Sequence, residues 1–201
     1  MSSIEQKILT NISKRGRGKI YFPQDFAAYG TANAVQKAFG RLVSSEKLIR
    51  VSQGIYCYPQ IDKVLGLGVL HPTFEEIASA IAKRDKARIV PTGVFALNRL
   101  GLSTQLPMNV VYLTDGSSRK VKLHGDKGIT FKHTSKKNLA FQNDMAMLLT
   151  FALRELGEGN LTDKQNAHIK YLLKDVSLDK MKRDFPLIPA WIRDLIVSAY
   201  E

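Results

Sequence analysis

The sequence predicts an α+β protein, because amphipathic helical runs alternate with short β-branched and aromatic runs bounded by glycine. Two observations set the order of these elements. Helical patterns and one hairpin pattern fill residues 1–60, and three strand-like runs precede a helical C-terminal part. We therefore predict an N-terminal winged helix-turn-helix. It is followed by a mixed α/β domain with a small antiparallel sheet and C-terminal helices.

The first predicted domain, residues 1–60, begins with a helix. Ile4, Ile8 and Ile12 form one apolar stripe, and Ser2 and Glu5 have the spacing of a capping box. The elements predicted after it are a strand at 20–22, a short helix from Pro23 to Tyr29, a turn at Gly30-Thr31, a helix at 32–45, and hairpin strands at 48–51 and 55–58.

The helix predicted at 32–45 has two different sides. One side carries the apolar residues Val35, Ala38, Phe39 and Leu42. The other side carries Asn33, Lys37, Gly40 and Ser44, flanked by Gln36 and Arg41. Amides, cations and hydroxyls are the groups that contact base edges and phosphates, and Gly40 would allow a close approach. An ordinary surface helix has the same pattern, but the hairpin that follows directly favours a recognition helix.

We therefore expect this first domain to bind DNA. The residues predicted to contact DNA are Thr31, Asn33, Gln36, Lys37 and Arg41 on the helix, Arg50 and Gln53 on the hairpin, and Arg15, Arg17 and Lys19 before the first strand.

A linker is predicted at 61–70, and the second domain at 71–201. Thr73 and Glu76 have capping-box spacing at the start of a helix, and Thr92 is expected to cap another. Three runs, at 109–113, 120–123 and 129–133, predict an antiparallel meander. Arg119, Lys120 and Lys122 at its centre form a second predicted basic face. From residue 142 onward the pattern is helical.

The charge distribution supports a polyanion partner. The chain of 201 residues has a formal net charge of +12, of which residues 1–60 hold +6, residues 61–140 hold +7 and residues 141–201 hold −1. Such an excess in the first two thirds suits nucleic acid, although a soluble basic surface has the same composition.

Catalytic and metal-binding motifs are missing from the sequence. The four histidines are His71, His124, His133 and His168, and no two of them lie four residues apart. Gly116-Ser117-Ser118 is similar to the Gly-Ser of nucleotidyltransferases. Arg119 and Lys120 stand where magnesium-binding acids should follow, so we expect a turn there. We predict a protein that is not an enzyme and that needs no metal or other cofactor.

The composition also indicates the cellular compartment in which the protein is expected. Cys57 is the only cysteine, which excludes an intramolecular disulfide and a cysteine zinc site. No apolar run approaches the roughly 20 residues that span a bilayer, and the first residues show no signal-peptide pattern. We expect a cytoplasmic protein with no membrane partner.

The chain resembles AbiEi-type antitoxins over about residues 1–140. The resemblance to their N-terminal domain lies in GKIYFPQDF at 18–26, VQKAFGRL at 35–42, LIR at 48–50 and QGIY at 53–56. The resemblance to their second domain lies in ALNRLGLSTQLP at 96–107 and VYLTDG at 111–116.

This resemblance implies a transcriptional repressor that binds its own operator and acts as the antitoxin of a type IV toxin–antitoxin pair. The toxin of such a pair is nucleotidyltransferase-like, and it is neutralised without a stable complex. The sequence leaves an alternative open, an interaction protein or RNA-binding module that uses the winged fold and the basic sheet. It does not define the operator, the toxin, the oligomeric state or the role of the C-terminal helices.

Overall fold

The computed structural model describes residues 3–201, and they form two compact units. The first unit contains the described residues up to Lys83 together with Lys122–Asp126. The second contains Arg84–Val121 and Lys127–Glu201. The division after Lys83 differs from the predicted linker at 61–70. That segment instead forms a hairpin, because the Asp62 carboxylate accepts hydrogen bonds from backbone N–H groups across its turn.

The predicted α+β class is confirmed. The first part of the chain forms α1 (Ile4–Arg15), β1 (Ile20–Tyr21), a 3-10 helix (Pro23–Tyr29), α2 (Ala32–Ser44), β2 (Ile49–Ser52), β3 (Ile55–Cys57), β4 (Gln60–Asp62), β5 (Gly68–Leu70) and α3 (Phe74–Asp85). The short helix begun by Pro23 is thus a 3-10 helix, with non-helical backbone angles at Phe26.

The N-terminus of α1 is capped by Ser3, whose side-chain oxygen accepts a hydrogen bond from the Gln6 N–H at 3.1 Å. The predicted cap was Ser2, which lies outside the described residues. Capping therefore occurs one position later than expected, with the same chemistry. At α3 the predicted capping box is confirmed, since Thr73 and Glu76 bond to each other's backbone N–H.

Strands β1, β3 and β2 form an antiparallel sheet in that order. Ile20 and Ile49 lie opposite Cys57 from the two sides, so β3 is the central strand. Its three residues are all buried. The predicted hairpin of β2 and β3 is confirmed, with an irregularity between Arg50 and Ser52.

The core of the first unit joins both helices to this sheet. Phe39 of α2 lies edge-on to Phe26, with ring centroids 5.4 Å apart, and 4.7 Å from the ring of Tyr56 on β3. Ile8 and Ile12 of α1 are fully buried in the same cluster. Aromatic pairs of this kind add about 1 kcal/mol each beyond the burial of their area.

The second part of the chain forms β6 (Ile89–Thr92), α4 (Gly93–Arg99), β7 (Asn109–Thr114), β8 (Arg119–Lys122), β9 (Gly128–His133), α5 (Asp144–Leu156), α6 (Asp163–Leu173), α7 (Leu178–Lys182) and α8 (Ala190–Ser198). Thr92 precedes α4 as predicted, but its hydroxyl donates to the carbonyl of Val111 and makes no cap bond.

The predicted antiparallel meander in the second domain is wrong. The strand order is β6-β7-β9-β8, and β7 pairs with β9 in parallel. Strand β8 lies at the edge of the sheet, a position that suits a short basic strand with Val121 as its only buried residue. The connection from β7 to β9 then contains the dozen or so residues that a parallel crossover needs.

The C-terminal helices complete the second core. Leu149 and Leu153 of α5 are buried among Ile169 of α6 and Ile192 and Ile196 of α8. No helix within residues 3–201 is long and apolar enough to span a bilayer.

Asp184, which follows α7, is 1% exposed, and its two carboxylate oxygens accept from the N–H groups of Gln142 and Asn143 at 2.8 Å. This carboxylate therefore joins the C-terminal segment to the start of α5.

We predict that Asp184→Asn lowers the free energy of unfolding by about 1–3 kcal/mol, because an amide cannot accept both N–H bonds. Urea denaturation measures this change, and Asp179→Asn, at an exposed position nearby, is the matched control. Equal stability of the two variants would contradict the role given to Asp184.

Candidate nucleic-acid interface

The outward side of α2 is polar and exposed, as its helical spacing predicts. Val35, Ala38, Phe39 and Leu42 are buried, and Asn33, Gln36, Lys37 and Gly40 are exposed. The buried side fixes the rotation of the helix about its axis. The structure therefore brings three of the predicted contact residues, Asn33, Gln36 and Lys37, onto one surface of the first unit.

Thr31 is the N-cap of α2. Its hydroxyl oxygen accepts from the Ala34 N–H at 3.3 Å, and the side chain is exposed. This bond satisfies one of the free N–H groups at the start of the helix and leaves the hydroxyl proton available to an acceptor outside the chain.

Gly40 lies in the middle of α2, where glycine costs about 1 kcal/mol relative to alanine. A Cβ atom built on Gly40 would meet no other atom within 4 Å. The fold of the described residues therefore does not require glycine at this position. Because glycine has no side chain, the outward side of α2 has no projecting group at this position.

Arg41 was predicted to contact DNA, but its guanidinium Nε donates to Glu5 of α1 at 2.6 Å. Both side chains are partly exposed, so the pair contributes at most about 1 kcal/mol. This contact nonetheless holds the arginine towards α1.

The three cations before β1 have different environments. Arg17 donates to the carbonyl of Pro59 at 2.8 Å, and its guanidinium lies 4.6 Å from the centre of the Tyr58 ring. Arg15 lies 5.9 Å from the Phe26 ring, and Lys19 is exposed. Arg17 thus ties the loop after α1 to the end of β3, a contact that its position in the sequence did not indicate.

The hairpin residues Arg50 and Gln53 are both exposed. Gly54 has φ +69°, which permits the tight connection between β2 and β3. Arg50 and Arg17 line one groove of about 810 Å³, together with Lys47, which the sequence did not single out. Asn33, Gln36 and Lys37 do not line this groove.

Two further lysines, Lys7 and Lys14 of α1, were missed by the sequence reasoning. With Asn11 and Tyr29 they line a shallow cavity of about 270 Å³, and the Asn11 amide donates to the Tyr29 hydroxyl at 3.0 Å. Their seven-residue spacing on one helix face was a usable signal.

The second predicted basic face is only partly correct. Arg119 forms an ion pair with Asp85 and lies 5.4 Å from the Phe131 ring. Burial, and then the charge of Arg84, lower the pKa of this guanidinium. Arg119 shares a side of β8 with buried Val121, because strand side chains alternate. Lys120 and Lys122 are exposed.

The predicted turn at Asp115-Gly116-Ser117-Ser118 is confirmed. Asp115 accepts from the Arg88 N–H at 2.8 Å, and Ser118 accepts from the His133 N–H at 2.8 Å. These side chains therefore hold the ends of neighbouring strands.

Burial raises the pKa of the Cys57 thiol to about 11, which keeps it protonated at neutral pH. No group of three or more His, Cys, Asp or Glu residues within residues 3–201 could hold a metal ion.

We predict that Arg17→Ala lowers the free energy of unfolding by about 1 kcal/mol, through loss of the Pro59 hydrogen bond and the Tyr58 contact. Thermal denaturation beside Lys19→Ala, an exposed cation in the same segment, measures the difference. If the two variants unfold at the same temperature, Arg17 does not stabilise the protein through these contacts.

The chain is similar to the crystal structure of the RV2827C protein from Mycobacterium tuberculosis, with a TM-score of 0.52 and 15% identity. The match covers 98% of this chain and 78% of that one, and at this identity it shows the fold alone. No curated protein matches the sequence. Residues 7–181 match the "Family of unknown function (DUF6088)", so the chain belongs to that family.

Proposed function

We propose that this protein is a transcriptional repressor that binds double-stranded DNA through a winged helix-turn-helix in its first unit. The observation that carries the proposal is the outward side of α2, where exposed Asn33, Gln36 and Lys37 surround Gly40. The opposite side of the helix is fully buried, so these four positions face away from the core of the unit.

The order of elements around α2 suits this role. The 3-10 helix Pro23–Tyr29, the turn at Gly30 and α2 follow one another as the two helices of a helix-turn-helix do. A major groove admits one α-helix. Amide side chains such as Asn33 and Gln36 can bond an adenine through two atoms, and Lys37 can reach a guanine edge or a phosphate.

The remaining cations of the first unit supply phosphate contacts in this proposal. The hairpin of β2 and β3, with exposed Arg50 and Gln53, is the wing in this proposal, and Lys7 and Lys14 on α1 and Lys19 before β1 are further exposed cations. Phosphate contacts carry no sequence information, but they hold the recognition helix in register and make binding salt-dependent.

We further propose an antitoxin role, which rests on the resemblance of residues 1–140 to AbiEi-type antitoxins. Its functional partner is a nucleotidyltransferase-like toxin. Co-expression with the product of a neighbouring gene of that kind tests it: restored growth supports the role, and unrelieved growth arrest counts against it.

The double variant Asn33→Ala/Lys37→Ala is expected to weaken operator binding at least about tenfold, since it removes one base-reading amide and one cation. Fluorescence anisotropy with DNA from upstream of the protein's own gene measures the affinity. Measurements from about 50 to 200 mM salt also give the slope of the logarithm of the affinity against the logarithm of the salt concentration. The magnitude of this slope should fall by about 1 in the variant.

The control for this experiment is Asn166→Ala/Lys170→Ala, which removes the same residue types at the same spacing from exposed positions of α6. It should bind DNA like the unchanged protein. If the Asn33 and Lys37 variant also binds like the unchanged protein, α2 is not the recognition helix. Loss of binding on removal of Lys120 and Lys122 instead would favour the alternative, nucleic-acid binding by the basic strand β8.

Gly40→Ala separates folding from DNA binding. The substitution should raise the free energy of unfolding by up to about 1 kcal/mol, because alanine favours the helix and has room there. It should nevertheless weaken operator binding, because the added methyl group faces the DNA. Chemical denaturation and anisotropy measure the two effects, and stronger folding with undiminished binding would exclude a close approach at Gly40.

A further inference from the structure

Most of the large exposed apolar side chains among the described residues lie in the hairpin of β4 and β5, which we call the apolar hairpin (residues 60–70). Of the eight large apolar side chains that are exposed within residues 3–201, five lie in it: Ile61, Val64, Leu65, Leu67 and Val69. Val64, Leu65 and Leu67 at the tip are 91%, 76% and 64% exposed. Contiguous exposed apolar residues of this kind mark interaction surfaces.

The tip of the apolar hairpin has a defined conformation. The Asp62 carboxylate accepts from the N–H groups of Val64, Leu65 and Leu67 at 3.0, 3.1 and 3.3 Å. Gly66 has φ +72°, which the turn requires. A surface that is already ordered loses less conformational entropy on binding than a flexible loop.

The backbone of the apolar hairpin also has unused pairing capacity. Strands β4 and β5 form a sheet of only two strands, so each has one edge without a neighbouring strand among the described residues. Two-stranded sheets are marginal alone, and uncovered edges pair readily with another strand. A second apolar hairpin offers matching edges and matching side chains.

The charge of the apolar hairpin favours an uncharged binding partner. Asp62 and Lys63 cancel, so the apolar hairpin has no net charge in a chain that carries +12. An acidic partner would be attracted to the basic surfaces instead. Two copies of the chain can bring the tips of this hairpin together with little mutual repulsion, because the nearby cations Arg17, Lys47 and Arg50 line the groove beside Ile61 and Val69 and not the tip.

The available area is that of a modest dimer interface. The five exposed side chains offer on the order of 500 Å² per copy, against about 800 Å² per partner in a standard interface. Two copies therefore bury about 1,000 Å² in total, which is at the lower end of the range for a biological interface.

We propose that the apolar hairpin is a homodimer interface, in which the hairpins of two copies of this chain pack against each other around a two-fold axis. The contact is isologous, so Val64, Leu65 and Leu67 of one protomer meet the same segment of its partner. The inference goes beyond DNA binding and does not depend on it.

Sedimentation equilibrium of the full chain from about 1 to 100 µM tests the proposal. The unchanged protein should approach twice its 22.5 kDa. Val64→Ser/Leu65→Ser/Leu67→Ser should raise the dimer dissociation constant at least about tenfold. Leu106→Ser/Met108→Ser, which also replaces exposed apolar residues, should leave it unchanged.

A second variant distinguishes loss of the dimer from misfolding of the triple serine variant. Leu65→Cys should form a disulfide-linked dimer on mild oxidation, and Leu106→Cys should not, while Cys57 is buried and does not compete. A monomeric unchanged protein at 100 µM overturns the proposal. So does an undiminished dimer in the triple serine variant, or equal cross-linking at positions 65 and 106.

Discussion

The burial of one side of α2 is the constraint on which the first unit depends. Phe39 contacts Phe26 and Tyr56, and thereby joins the helix to the element before it and to the central strand of the sheet. Because this side is fixed in the core, the opposite side with Asn33 and Lys37 is fixed towards solvent. Packing and proposed function therefore rest on the same thirteen-residue helix.

The spacing of apolar residues along the chain made the helices and their buried sides predictable. The 3.6-residue spacing of apolar positions gave both sides of α2 correctly, and glycine and capping residues gave most helix ends. Arg17 could not be placed in this way, because its partners Tyr58 and Pro59 lie about forty residues further along the chain. The environment of Arg119 could have been predicted, since side chains alternate along β8 and Arg119 therefore lies on the same side as buried Val121.

Non-local pairing accounts for the other differences. Short turns between three consecutive strand-like runs favoured a meander, but β9 takes the place beside β7 and leaves β8 at the edge. The strands of the apolar hairpin have three residues each, too few for a periodic signal, so the segment read as a linker. In the candidate interface, exposure was predictable for the helix residues, whereas the ion pair of Arg41 with Glu5 depended on how α1 and α2 pack.

The outward side of α2 is the surface that we propose binds DNA. The most direct test is a titration of the isotope-labelled protein with duplex DNA from upstream of its own gene, followed by amide chemical shifts. We expect the largest changes at Asn33, Gln36, Lys37 and Gly40, with residues of α6 unchanged. Changes centred on Lys120 and Lys122, with α2 unaffected, would contradict the account.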